Sequence, residues 1–272
     1  MTKHWNKCSL LVAVLSVAAI TKPSLHDFSN ILRDSGPILQ RDPSRALFFQ
    51  GRGIKLVEQS KFEAAATEFR RASAFDPGNV NVIVNLSYCL DRLGRHDQAI
   101  TELERAEKIA PNVPMLYVNW GNSLINLKRY EEALIQLHKA VDLDSSNVLV
   151  RVNLAAAYTN LGRHKEALSE LEKASEIDPK NVTVHFNMAI ILANTGESDK
   201  AIAEYERVIE LDPKNLSAYY NCAALCEKLG NIDCAIRKIE AAVEAAPDNA
   251  QLAEILRRLK EAKSKRPQPS IP

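Results

Sequence analysis

This chain of 272 residues predicts an all-α solenoid of stacked helix pairs, and three observations carry that prediction. Alanine recurs at Ala65, Ala99, Ala133, Ala167, Ala201 and Ala235, six times at a spacing of 34 residues. A second small residue stands twelve positions before each of them (Gly53, Ser87, Gly121, Ala155, Ala189, Ala223), with large apolar residues between at helical i, i+3, i+4 spacing. Proline closes the units at Pro77, Pro111, Pro179, Pro213 and Pro247, the series being broken only by Ser145. A 34-residue unit is one helix-turn-helix that cannot bury its own apolar face and must stack on neighbours.

At the N-terminus, Lys3 and Lys7 precede an unbroken apolar and small run over 9–20. Twelve residues are too few to cross a bilayer core, which takes about 20, but they suit the central part of a secretory signal. Residues 1–20 are therefore expected to be a signal peptide, with Val17 and Ala19 marking the cleavage site, or else a retained membrane anchor. Cys8 lies before the run, not after it, which argues against a lipoprotein signal. Residues 21–45 contain Pro23, Gly36, Pro37 and Pro43 and are expected to form a linker or N-terminal cap, with one short helix around 25–33.

The register places the units at 46–79, 80–113, 114–147, 148–181, 182–215 and 216–249. The eighth and twentieth positions are small in every unit, and so is the twenty-seventh apart from the bulkier Val208, because two helices pack at 8–10 Å only where the crossing carries little side chain. Turns inside units fall at Gly94, Gly162, Gly196 and Gly230, where Gly relieves the strain of ending a helix. Proline between units cannot continue the helical hydrogen-bond ladder. Residues 250–263 are amphipathic, as the capping helix of such an array must be, and 264–272, with three prolines, is expected to be a disordered tail. The net charge of +1, with 35 basic and 34 acidic residues evenly mixed, points away from nucleic acid and anionic lipid as partners.

These residues resemble the tetratricopeptide repeat family, whose pattern of Trp, Leu, Gly, Tyr, Ala, aromatic, Ala and Pro is matched by Trp120, Gly121, Tyr130, Ala133 and Ala140 in the third unit. The fourth unit matches it through Leu154, Ala155, Tyr158, Ala167, Ala174 and Pro179. The resemblance covers 46–249 and implies a monomeric right-handed superhelix whose first helices line a concave groove that binds a protein or peptide partner.

At the sixth position of units two to six stand Asn85, Asn119, Asn153, Asn187 and Asn221. An amide both donates and accepts, so a column of them suits the backbone of an extended peptide; the same residues also suit bracing between neighbouring helices. The column is similar to the ladders in the superhelices of O-GlcNAc transferases, although no catalytic domain accompanies it here. Tyr88, Met115, Phe186 and Tyr220, with Val84, Val118, Ile125, Leu149, Val152 and Ile190, are expected to make the surrounding groove apolar, and Asn126, Asn160 and Asn194 form a second amide column. The fifth position holds Gln50, Val84, Val118, Val152, Phe186 and Tyr220, not the Lys of the family's carboxylate clamp, which disfavours an Hsp70 or Hsp90 co-chaperone.

No HExxH, GxxxxGK[ST] or GxSxG motif occurs, so no enzymatic activity, metal or cofactor is expected. His96, His164 and His185 occupy packing positions. Cys222, Cys226 and Cys234 cluster in the last unit. Cys234 is placed to pair with Cys226 or Cys222 if the chain is exported, the alternative being three small buried thiols. The sequons at Asn85, Asn181 and Asn215 are compatible with glycosylation in a eukaryotic secretory route, but a glycan on Asn85 would obstruct the groove. The expectation is thus an exported, periplasmic or secreted scaffold or adaptor in envelope assembly or secretion. Its alternatives are a non-catalytic subunit of a glycosyltransferase-like or secretion complex, and a scaffold held at the inner membrane by residues 1–20.

Overall fold

The computed structural model describes residues 41–265. The expected signal segment 1–20, residues 21–40 of the expected linker and residues 266–272 of the tail lie outside the described residues. Thirteen helices make up the described chain: α1 Pro43–Glu58, α2 Phe62–Phe75, α3 Val80–Arg92, α4 His96–Ile109, α5 Pro114–Asn126, α6 Tyr130–Leu143, α7 Val148–Asn160, α8 His164–Ile177, α9 Val182–Thr195, α10 Ser198–Leu211, α11 Leu216–Lys228, α12 Ile232–Ala245 and α13 Ala250–Ser264. Each odd-numbered helix from α1 to α11 packs on the helix that follows it, and each pair packs on the next.

The small residues act where the period requires them. All six alanines at the twentieth position, from Ala65 to Ala235, are completely buried. A Cβ added at Gly53 would lie 2.7 Å from the ring of Phe69, and one at Gly121 would lie 2.5 Å from Cγ of Leu137. Those helix pairs are therefore as close as side chains permit. Neighbouring pairs are sealed by the third position, where Val82, Leu116, Val150, Val184 and Ala218 are fully buried, and Leu252 of α13 continues that column. The last helix thus takes the place of a seventh first helix. At the opposite end the equivalent face of α1 presents exposed Arg52 and Lys55, where the later units carry uncharged residues (Leu86, Trp120, Leu154, Met188 and Cys222; Cys89, Ser123, Ala157, Ile191 and Leu225).

Two local devices recur. Within every pair the chain turns through a residue of positive φ: Gly94, Gly162, Gly196 and Gly230, but also Ser60 (φ 59°) and Lys128 (φ 62°). The next residue's N–H then reaches back to close the helix, as from Arg95 to Leu90 O (2.9 Å) and from Arg129 to Leu124 O (2.8 Å), the bond of a Schellman ending. At the start of first helices, Asn79, Asn147, Asn181, Asn215 and Asn249 accept backbone N–H bonds as N-caps. Two of the three sequon asparagines, Asn181 and Asn215, are therefore caps.

The first helix begins at Pro43, inside the segment expected to be linker. Asp42 accepts the N–H of Arg45 as its cap and Pro43 occupies the first turn, where proline's missing donor costs nothing.

Candidate functional site

In the first helices from α3 onward the third position is covered by the preceding pair, and the eighth and eleventh by the helix's own partner. The second, ninth, twelfth and thirteenth positions stay accessible, and the fifth and sixth are partly so in α9 and α11. Because α3 packs directly on α5 and α5 on α7, these positions form one continuous face over those three helices.

The asparagine column is divided. Asn119 is only 8% exposed and donates through Nδ2 to Val84 O of the preceding first helix, 3.2 Å away. Asn153 is 9% exposed, with its Nδ2 buried and lacking a hydrogen-bond partner. Both lie beneath the accessible face, but only Asn119 ties neighbouring first helices together. Asn85, Asn187 and Asn221 are half-buried, and the amide of Asn221 reaches the Tyr205 hydroxyl. Burial, the larger influence, raises the Tyr205 pKa, and this hydrogen bond opposes it.

The apolar residues divide as well. Val84, Val118 and Val152, expected in the groove, are 5%, 0% and 7% exposed and belong to the core. Their short β-branched side chains fit between adjacent first helices instead of projecting from them. Tyr88, Met115, Leu149, Phe186, Ile190 and Tyr220 are half-buried and bridge core and surface. Phe186 packs edge-on against Tyr205 at 5.9 Å between ring centres, whereas the Tyr220 hydroxyl is buried without a partner.

The second amide column is the more exposed one, with Asn126, Asn160 and Asn194 all at the surface. Asn126 donates to Asp91 (3.1 and 3.3 Å), as does Ser123 (2.9 Å), and His96 Nδ1 lies 2.7 Å from the same carboxylate. Asn160 donates to Ala156 O at 2.8 Å. At the α3 end of the face, Arg92 donates to the Tyr88 hydroxyl (2.8 Å) and lies 4.4 Å over the ring of Phe62. The Asp91 cluster and this stack were not apparent from sequence, since each joins residues of different units.

Two contacts with outer-helix carboxylates turn away from the face. Arg151 pairs with Glu170 at 2.8 Å and donates to Ser145 O. His185 lies 2.7 Å from Glu204 and 3.0 Å from Pro179 O. His185, read from sequence as packing, is 8% exposed and hydrogen-bonded at both ring nitrogens. Cys226 is disulfide-bonded to Cys234, Cα to Cα 5.8 Å, between α11 and α12, while Cys222 and Cys89 are buried free thiols. Among the described residues no group of His, Cys, Asp and Glu is placed to hold a metal ion, and no helix is long and apolar enough to cross a membrane.

Tetratricopeptide repeat models match residues 56–117 and 116–147, and a TPR repeat model matches 156–196 and 191–230. The chain belongs to the tetratricopeptide repeat family. Among solved structures it is similar to TTC0263, a thermophilic TPR protein of Thermus thermophilus (25% identity, 67% of this chain and 99% of that one, TM-score 0.51). It is similar also to YrrB, a TPR protein with an unusual peptide-binding site (23% identity, 70% and 97%, TM-score 0.54). A third similarity is to PilF of Pseudomonas aeruginosa (19% identity, 79% and 97%, TM-score 0.64). No curated protein matches this TPR chain significantly. TPR folds are generally non-catalytic scaffolds that bind proteins or peptides, and no enzyme family was identified among the matches.

Proposed function

We propose that this TPR protein captures a peptide segment of a partner protein along the accessible face of α3 to α11, and that it does so after export, in envelope assembly or secretion. The observation that carries the reading is the face itself: half-buried Tyr88, Met115, Leu149, Phe186 and Ile190 run beside exposed Asn126, Asn160 and Asn194. Apolar floor and amide edge together suit a chain that must bury side chains and satisfy its backbone. Asn85, Asn187, Asn221 and Tyr220 are further contacts, with Asn119 tying α5 to α3 beneath. The related fold of YrrB, which carries a peptide-binding site, supports the same use.

Export is supported by the basic and apolar pattern of residues 1–20 and by the Cys226–Cys234 disulfide, since such bonds persist in oxidising compartments and are rare in the cytosol. The test is a pull-down from a bacterial envelope extract, with mass spectrometry of both bait and prey. A bait beginning near Ile20, and one enriched prey lost when Asn126, Asn160 and Asn194 are all changed to Ala, is the expected result. A bait retaining Met1 points to a membrane-held scaffold, and prey that survives the triple change removes the face from consideration.

A further inference from the structure

Charge is segregated between the two helices of the central pairs. The sequence of α5 contains no Asp, Glu, Lys, Arg or His; α7 contains Arg151 alone and α9 His185 alone. Those two side chains are 11% and 10% exposed and are held by Glu170 and Glu204 of the outer helices. The partner helices α6, α8 and α10 are rich in Glu, Lys, Arg and Asp. Three of the charges bordering this stretch are engaged: Asp91 accepts from Ser123 and Asn126, Arg92 is stacked on Phe62, and Glu227 pairs with Arg258 at 2.9 Å, while Lys228, beyond the stretch on α11, is exposed.

We infer that the face over α5, α7 and α9 takes an uncharged, extended segment of aliphatic and small side chains, an inference that rests on the peptide-binding reading above. A carboxylate or ammonium laid here would lose part of its water and meet no opposite charge on these three helices, whereas aliphatic groups gain by burial. The floor is low at Ala156, Thr159 and Ala193, all half-buried, and leaves room for a chain. The exposed amides of Asn126 and Asn160 spend their Nδ2 on Asp91 and Ala156, which leaves each Oδ1 to accept a backbone N–H from the ligand. Helices about 10 Å apart place such acceptors at every third residue of a strand rising about 3.3 Å per residue.

The test is selection of a phage-displayed library of random 12-residue peptides on the full chain, on Ala156→Glu and on Asn160→Glu, with circular dichroism as the folding control. Asn160 is exposed, so that variant remains informative if Ala156→Glu folds poorly. The expected result is enrichment of peptides with a run of six or more residues free of Asp, Glu, Lys and Arg. Their affinity should change less than twofold between 50 and 500 mM NaCl and fall at least tenfold on the Glu variants. Enriched peptides that carry charges at fixed places, yet are lost on the Glu variants, overturn the uncharged lane and leave the peptide-binding face standing. No enrichment, or enrichment indifferent to both variants, removes the face and the lane together. A wild-type dimer that Asn160→Glu dissolves would put a second copy on this face and equally overturn the proposal.

Discussion

Asn119 donates from its amide to the carbonyl oxygen of Val84, one unit back, at 3.2 Å. That carbonyl also accepts the hydroxyl of Ser87 at 2.7 Å, so the amide ties α5 to a point on α3 that is already hydrogen-bonded. Asn119→Ala should cost about 1–2 kcal/mol through the lost bond and the void. Asn160→Ala, at an exposed site whose amide only bonds its own helix, should stay within about 0.5 kcal/mol. Thermal melts of the two variants decide between brace and ligand contact; equal melting temperatures would remove the brace.

Gly121 stands where α5 crosses α6, and the Cβ of an alanine there would sit 2.5 Å from Cγ of Leu137. Gly121→Ala should destabilise by about 1–3 kcal/mol through overpacking, although alanine is the better helix former. Pairing it with Leu137→Ala should recover part of that loss, giving a coupling energy above about 0.5 kcal/mol in a double-mutant cycle. Ala167→Leu, at the fully buried twentieth position of the fourth unit, should show a penalty of similar size.

The period was legible because close helix approach is a backbone requirement that only small side chains meet, and it leaves the same mark in every unit. The role of Asn119 was not. An asparagine at the sixth position looks identical whether it reaches a ligand or a neighbour's carbonyl, and only the packing of α5 on α3 decides. Arg151 and His185 were equally opaque, since their carboxylate partners lie 19 residues on, outside any helical spacing. The glycine turns were legible in four units, but Ser60 and Lys128 make the same turn without glycine's signature.

Arg151 and Lys173 both pair with Glu170, but at very different burial: their side chains are 11% and 49% exposed. Removing Arg151 leaves a buried carboxylate with one peripheral partner, so Arg151→Ala should cost about 3 kcal/mol. Lys173→Ala, a mainly solvated contact, should cost under about 1 kcal/mol. Urea denaturation of both variants measures the difference, and comparable losses would show that burial does not set the strength of this pair.

Lys128 holds a left-handed conformation, φ 62°, at the turn between α5 and α6. A residue with a Cβ is strained there by about 1–3 kcal/mol, while glycine gives back about 0.4–1 kcal/mol as extra freedom in the unfolded chain. Lys128→Gly should therefore stabilise by about 1 kcal/mol. Lys128→Ala, which removes the charge but keeps the Cβ, should stay within about 0.5 kcal/mol; a matching rise in the alanine variant would mean that charge, not backbone, governs the site.

Burial pushes the Cys89 thiol up from 9.0 to about 12 and that of Cys222 to about 11, outweighing the nearby Arg92 and Lys238, which act in the opposite direction. The thiolate is the reactive form, so neither residue should be alkylated by iodoacetamide in the native protein at pH 8, and both should be after denaturation, as read by peptide mapping. The same displacement links folding to pH. Below about 9 the thiol is protonated in both states and its contribution is fully present. As pH rises from about 9 toward about 12, the unfolded chain releases a proton that the folded one retains, and stability falls. Wild-type protein should therefore lose stability between pH 9 and 11 more steeply than Cys89→Ala, which carries no thiol at that site. Parallel slopes would mean that Cys89 ionises as readily in the folded chain as in the unfolded one.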